Sequence, residues 1–172
     1  MNILFLGDSL IEYFDWQERF PEHNVGNYGV AGESVGGLLS RVVKINEVFP
    51  SADRIFIMSG INNVAMDDLE FMEFYRDILE KLEASYSDAK IYIHSLLPTL
   101  TTFISNESVR EINHEIEKLA REFGVEYVDM YSRFVDTGGS PIKEYLLDDG
   151  VHISRTGYDV WAIEVERRLK YE

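Results

Sequence analysis

Apolar residues fall along this chain in two alternating patterns, short unbroken runs and helically spaced stripes. Ile3-Leu4-Phe5-Leu6, Arg54-Ile55-Phe56-Ile57-Met58 and Lys90-Ile91-Tyr92-Ile93-His94-Ser95-Leu96 are runs of the kind that a buried strand carries. Turn signals close each of them: Gly7-Asp8-Ser9, Ser59-Gly60-Ile61-Asn62-Asn63 and Pro98. Segments 23–28 and 125–128 predict two further strands. Between the runs lie the stripes Leu38, Leu39, Val42, Val43 and Ile45, then Phe71, Tyr75, Ile78, Leu79, Leu82 and Tyr86. Val109, Ile112, Ile116, Leu119 and Phe123 form another, and Tyr158, Trp161, Val165 and Leu169 the last. Each stripe predicts a helix packed on one face. Residues 10–20 predict a short aromatic-rich helix closed by Pro21. Asp67 and Asp68 are expected to cap the helix of Phe71, Ser105 or Asn106 to begin the next, and Gly124 to end it.

Strand and helix alternating through short connections imply parallel strands joined by crossovers, with helices on both faces. The expected architecture is an α/β protein, a three-layer α/β/α sandwich on a flavodoxin-like parallel five-stranded sheet. At 172 residues the chain is expected to be a single domain spanning 1–172. Its 16 Lys+Arg against 31 Asp+Glu give a formal net charge of -15, which repels phosphate backbones and anionic lipid surfaces. No nucleic acid and no membrane insertion are therefore expected, while a homo-oligomer stays open. The absence of Cys excludes a disulfide framework, a thiol nucleophile and thiolate metal ligation. The first apolar run stops at Leu6, too short for a secretory h-region, so the expected location is cytoplasmic.

In an open α/β sheet the carboxyl ends of the strands share one edge, and ligands collect there. That edge would gather Gly7-Asp8-Ser9, Asn27-Tyr28-Gly29-Val30-Ala31-Gly32 and Gly60-Ile61-Asn62-Asn63, with Asp149 and His152 just ahead of the final helix. Ser9 can serve as a hydroxyl nucleophile there and His152 as its base. Asp149, three residues before His152 and across a Gly, can fold back onto the imidazole Nδ1–H and leave Nε2 for Ser9. Backbone N–H groups of Ser9 and Gly32 and the Asn62 amide can polarise an oxyanion. His94, at the end of a strand, is a rival base without an acidic neighbour in sequence. Gly32-Glu33-Ser34-Val35-Gly36 fits the G-x-S-x-G elbow, yet a Gly-rich turn separates Ser34 from the preceding strand. A flavodoxin-like module that binds a nucleotide or flavin is the alternative of another class, although neither a Walker A nor a G-x-G-x-x-G motif is present.

Over essentially its whole length the chain resembles the SGNH hydrolases, also called the GDSL esterase/lipase family. Gly7-Asp8-Ser9-Leu10 matches the first block of that family, Asn27-x-Gly29-x-x-Gly32 the second, Gly60-x-Asn62 most of the third and Asp149-Gly150-Val151-His152 the last. The resemblance implies Ser9 as nucleophile, His152 as base, Asp149 as its orienter, and an oxyanion hole of Ser9, Gly32 and Asn62. It implies no metal and no cofactor, and a small-molecule ester as substrate. Compact acetylhydrolase-like members are similar, which points to a short acyl group. Substrate contacts are expected from Asp8, Leu10, Asn63 and Leu97, with Tyr13 a further candidate for the pocket wall. Residues 97–103 would shape the pocket and 136–141 border it. The third block usually ends in Asp, where this chain carries Asn63; a member that binds without turnover is the corresponding alternative.

Overall fold

In the computed structural model, which describes residues 1–170, the apolar runs form the strands of one sheet. β1 (Asn2–Gly7) leads through the short helices α1 (Ser9–Glu12) and α2 (Trp16–Arg19) into β2 (Asn24–Gly29). α3 (Val35–Val48) carries the chain back across β1 to β3 (Arg54–Met58). After α4 (Ile61–Ala65) and α5 (Met72–Ser85) come β4 (Lys90–His94), α6 (Asn106–Phe123) and β5 (Glu126–Val128). Two 3₁₀ turns, Tyr131–Arg133 and Lys143–Tyr145, precede α7 (Arg155–Lys170). The five strands are all parallel in the order β2-β1-β3-β4-β5. The direction of winding reverses between β1 and β3, and the crevice above such a reversal is where open α/β sheets bind ligands.

Register explains the core. Phe5 of β1 pairs with Phe56 of β3, and Phe56 with Tyr92 of β4, so three aromatic rings form a row across one sheet face. Their centroids are 5.2 and 4.8 Å apart, and Trp16 stacks on Phe5 at 4.1 Å. Trp161 of α7 meets Trp16 edge-on at 5.4 Å, so α2 and α7 share that face. α3, α5 and α6 pack against one another. Truncating a ring of this buried row to Ala removes contacts worth about 3–5 kcal/mol.

Three features differ from the sequence expectations. Residues 10–20 form two helices, not one, because Asp8 and Asp15 each cap a turn: their carboxylates accept from the N–H of Leu10 (3.0 Å) and of Glu18 (2.8 Å). The carbonyls released at the break are taken up by Asn27, whose Nδ2 donates to Ile11 and Phe14 at 3.1 Å each. Asp67 and Asp68 do not cap α5, which starts later with Phe71 at its cap and no side-chain bond there. Between them and β3 lies α4, in the stretch that reads as a plain turn. Val43 also leaves the predicted α3 stripe and is half exposed. Among the described residues no helix is long and apolar enough to cross a membrane.

Candidate active site

The first strand delivers Ser9 to the crevice at the β1/β3 reversal. Gly7 is needed just before it, since a Cβ there would sit 2.0 Å from the Met58 carbonyl oxygen of the neighbouring strand. Ser9 begins α1, so its N–H lies outside the intrahelical ladder, and its side chain is nearly buried. The Ser9 hydroxyl is 3.2 Å from His152 Nε2. On the other side of the imidazole, Nδ1 is 2.7 Å from Asp149 Oδ2. A carboxylate only accepts, so Nδ1 carries the proton and Nε2 is left to accept from Ser9.

Asp149 also organises its own loop. Its Oδ1 accepts from the N–H of Val151 (2.9 Å) and of His152 (2.8 Å). Leu147 N–H donates to the His152 carbonyl at 2.7 Å, and Leu100 N–H to the Gly150 carbonyl at 2.8 Å. Partial burial pushes the Asp149 pKa upward, but the bonds from Val151 and His152 outweigh it and hold the group below the ordinary carboxylate range. It therefore stays ionised beside the imidazole. Tyr13, largely exposed, sets its ring 5.4 Å from that of His152.

Gly32 lies on the loop after β2, to which Asn62 is bonded. Gly32 has φ +75°, and nothing lies within 4 Å of the place a Cβ would occupy, so backbone conformation rather than crowding calls for glycine. Its loop is braced at several points. Ala31 N–H donates to Glu12 Oε2 at 2.6 Å, and Val30 N–H to the Gly7 carbonyl at 2.9 Å. Arg41 grips the Glu33 carboxylate with two bonds, Nε to Oε1 at 2.7 Å and Nη2 to Oε2 at 2.6 Å, and donates to the Tyr28 carbonyl at 2.8 Å. Asn62 Nδ2 donates to the Glu33 carbonyl at 2.9 Å, which occupies one of its two amide hydrogens. Ser9, Gly32, Asn62, Asp149 and His152 thus stand on four separate segments that the sheet edge brings together.

Asp8, Leu10, Asn63 and Leu97, expected to touch substrate, are not on the open surface of the site. Their side chains are turned inward, with exposures of 0, 1, 1 and 2%. Asp8 caps α1, and Asn63 is bonded within the protein, its Oδ1 accepting from Val35 N–H (2.9 Å) and its Nδ2 donating to Asp68 (2.7 Å). Exposed apolar groups on the segments around the site include Tyr13, Val30, Leu100, Phe103 and Leu147. Of these, Val30 and Leu147 carried no sequence signal, because single apolar residues in loops are ordinary. Segment 136–141 closes on itself, with Asp136 accepting from Gly138 and Ser140 and a bridge between Val135 and Pro141.

Both decoys resolve. Ser34 is the N-cap of α3, its hydroxyl accepting from Gly37 N–H at 3.2 Å, and β2 ends at Gly29 with no strand running into it. His94 is fully buried, accepts from the Trp161 indole N–H at 2.9 Å, and is driven by burial down to about 3, so it stays neutral in the core. Asp8 is shifted the other way: burial raises it to about 7, because one carboxylate oxygen has no partner among the described residues.

Residues 5–160 match the model of the GDSL-like lipase/acylhydrolase family. No curated protein matches the chain by sequence. Among solved structures, it is 28% identical to one from Streptococcus pneumonia provisionally described as a platelet activating factor, with a TM-score of 0.87 over 98% of this chain and 83% of that one. It is 20% identical to a GDSL-like lipase from Bacteroides thetaiotaomicron, with a TM-score of 0.79 over 98 and 87% of the two chains. A catalytic mutant of an acetylxylan esterase from Geobacillus stearothermophilus is 19% identical, with a TM-score of 0.78 over 99 and 94%. The family match displaces the flavodoxin-like binding module as a reading of this fold. With that match spanning nearly the whole chain, the protein belongs to the GDSL-like lipase/acylhydrolase family and is a hydrolase of ester bonds.

Proposed function

We propose that the chain is a serine esterase that works through an acyl-enzyme and prefers a short acyl group such as acetyl. The observation that carries this reading is the hydrogen-bonded series Ser9–His152–Asp149, at 3.2 and 2.7 Å, above the β1/β3 reversal. Ser9 Oγ attacks the ester carbonyl while His152 Nε2 takes its proton, and the Asp149 carboxylate stabilises the imidazolium. The oxyanion of the tetrahedral intermediate is received by the N–H groups of Ser9 and Gly32 and by the second Asn62 amide hydrogen. Each such donor is worth about 2.7–4 kcal/mol in the transition state. His152 then returns the proton to the departing alcohol, and water attacks the acyl-enzyme by the reverse route.

The lean toward acetyl is supported by the nature of the described neighbours, an acetylxylan esterase and a protein linked to platelet activating factor. Separate Ser9→Ala and Ser34→Ala variants, assayed on p-nitrophenyl esters of increasing chain length, test the assignment. Ser9→Ala should abolish turnover, Ser34→Ala should retain it, and acetate should be turned over faster than octanoate. Loss of activity in Ser34→Ala with retention in Ser9→Ala overturns the reading. A fluorophosphonate probe should label Ser9; a folded wild-type protein that resists the probe is instead a binding member without turnover. Acetylated sugars and lysophospholipids then identify the alcohol.

A further inference from the structure

We propose that Asn63 and Asp68 act as a positioning pair that sets the Asn62 amide against the Gly32 loop, and that the pair works only while one member is an amide and the other a carboxylate. The proposal rests on the serine-esterase reading, in which Asn62 and Gly32 share one oxyanion. α4, which carries Asn62, is only five residues long and has no side-chain cap. A helix that short has little stability of its own, so tertiary bonds must determine where it points.

Those bonds come from two adjacent residues. Asn62 Nδ2 donates to the Glu33 carbonyl at 2.9 Å, while Asn63 Oδ1 accepts from Val35 N–H at 2.9 Å. The two contacts straddle Ser34 and fasten α4 to the segment that begins with Gly32. One bond would leave the short helix free to pivot; two, of opposite polarity and from neighbouring residues, do not. Asn63 is held in turn by Asp68, whose Oδ2 accepts from Nδ2 at 2.7 Å and whose backbone N–H donates to the Asn63 carbonyl at 2.9 Å. The segment 66–68 is shaped for that grip: Asp67 is the one non-glycine residue with positive φ among those described, at 56°. Such a conformation is costly for a side-chain-bearing residue and persists where its surroundings demand it.

The polarity of the pair follows from hydrogen-bond chemistry. With a carboxylate at 68, residue 63 has to accept from Val35 and at the same time donate to Asp68, which the Asn63 amide does through separate atoms, Oδ1 and Nδ2. A carboxylate at 63 keeps the Val35 contact but meets Asp68 oxygen to oxygen. Asp68 is exposed and can turn to water, whereas residue 63 is buried and is left with an oxygen that no donor reaches. α4 shifts to relieve this, and Asn62 shifts with it.

Asn63→Asp should therefore lower kcat on a p-nitrophenyl ester by about tenfold or more with KM little changed, short of the 10²–10³-fold loss of an entire donor. Adding Asp68→Asn reverses the pair, since an amide at 68 can donate to the carboxylate at 63, and should restore kcat to within about threefold of wild type. Asp68→Ala, at an exposed site where folding is not at stake, should lower kcat several-fold at constant KM. Full kcat in Asn63→Asp or in Asp68→Ala overturns the proposal, as does a folded double variant that fails to recover. Hydrogen exchange of the Asn62 side-chain amide, followed by NMR, reads the tether independently of turnover. It should quicken in the single variants and slow again in the double. If wild-type turnover survives Ser9→Ala, the serine-esterase reading falls by itself, and the exchange series still decides the tether.

Discussion

In the proposed serine-esterase reading, the oxyanion side of the site and its proton-transfer side are built on opposite principles. Ser9, Gly32 and Asn62 stand on or beside strand ends, braced by buried Asp8 beneath α1 and buried Asn63 on Val35, and by the half-buried pair of Arg41 and Glu33. The Asp8 cap is local, but Arg41 reaches Glu33 across 8 residues and Asn63 reaches Val35 across 28. Asp149 and His152 stand on a loop, with side chains 50 and 32% exposed, and the carboxylate meets both the imidazole and the backbone N–H groups of its own turn. A pair three residues apart can be aligned by local bonds alone. Donors from separate strands cannot, and their relative placement needs the sheet and its cross-braces.

The comparison breaks most sharply at Asp149. Asp149→Asn leaves the loop nearly isosteric but favours the wrong imidazole tautomer, and kcat should fall by about 10³–10⁴-fold. Because the group is half exposed and its bonds are local, Tm should move by no more than about a degree or two. A large fall in Tm would show that the loop supports the fold and is not a local device. At Arg41 the balance inverts. Removing the bidentate grip on Glu33 costs about 1.5–3 kcal/mol, which corresponds to a Tm loss of about 3–12 °C in a chain of this size. In Arg41→Ala kcat should fall about tenfold as the Gly32 loop loosens. Arg41→Lys should recover little of either, because an ammonium cannot make the paired contact. Unchanged kcat with lowered Tm would show that the brace serves stability alone.

The last effect is one of pH on stability. Asp8 has its pKa raised by burial from 3.8 to about 7. Between those values the folded protein holds a proton that the unfolded chain has released, so this group's contribution to stability is complete below pH 3.8 and is lost as pH rises through 7. In Asp8→Asn that slope should vanish. The Tm of the variant should gain on wild type across the window and run parallel to it above, as thermal unfolding at a series of pH values would show. Parallel curves throughout would place the Asp8 carboxylate in a solvated setting and remove the contrast between a buried cradle and an open base loop.

The sequence by itself determined what depends on neighbours in the chain. Unbroken apolar runs specify buried strands, so β3 begins and ends where its pattern does. The α6 signals, a Ser105 cap and a left-handed Gly124, both act within a few residues and are both met. The Asp149–His152 contact was legible for the same reason, being an i,i+3 pair across a glycine. Tertiary structure alone decided what depends on approach between distant segments. That Asn63 faces inward onto Val35, that Asp68 serves Asn63 rather than α5, and that His94 is locked to Trp161 follow from partners 28, 5 and 67 residues away. The same holds for Ser9 and His152, 143 residues apart. A polar side chain in a turn motif can point to solvent, substrate or core, and only the packed sheet supplies the donors and acceptors that settle which.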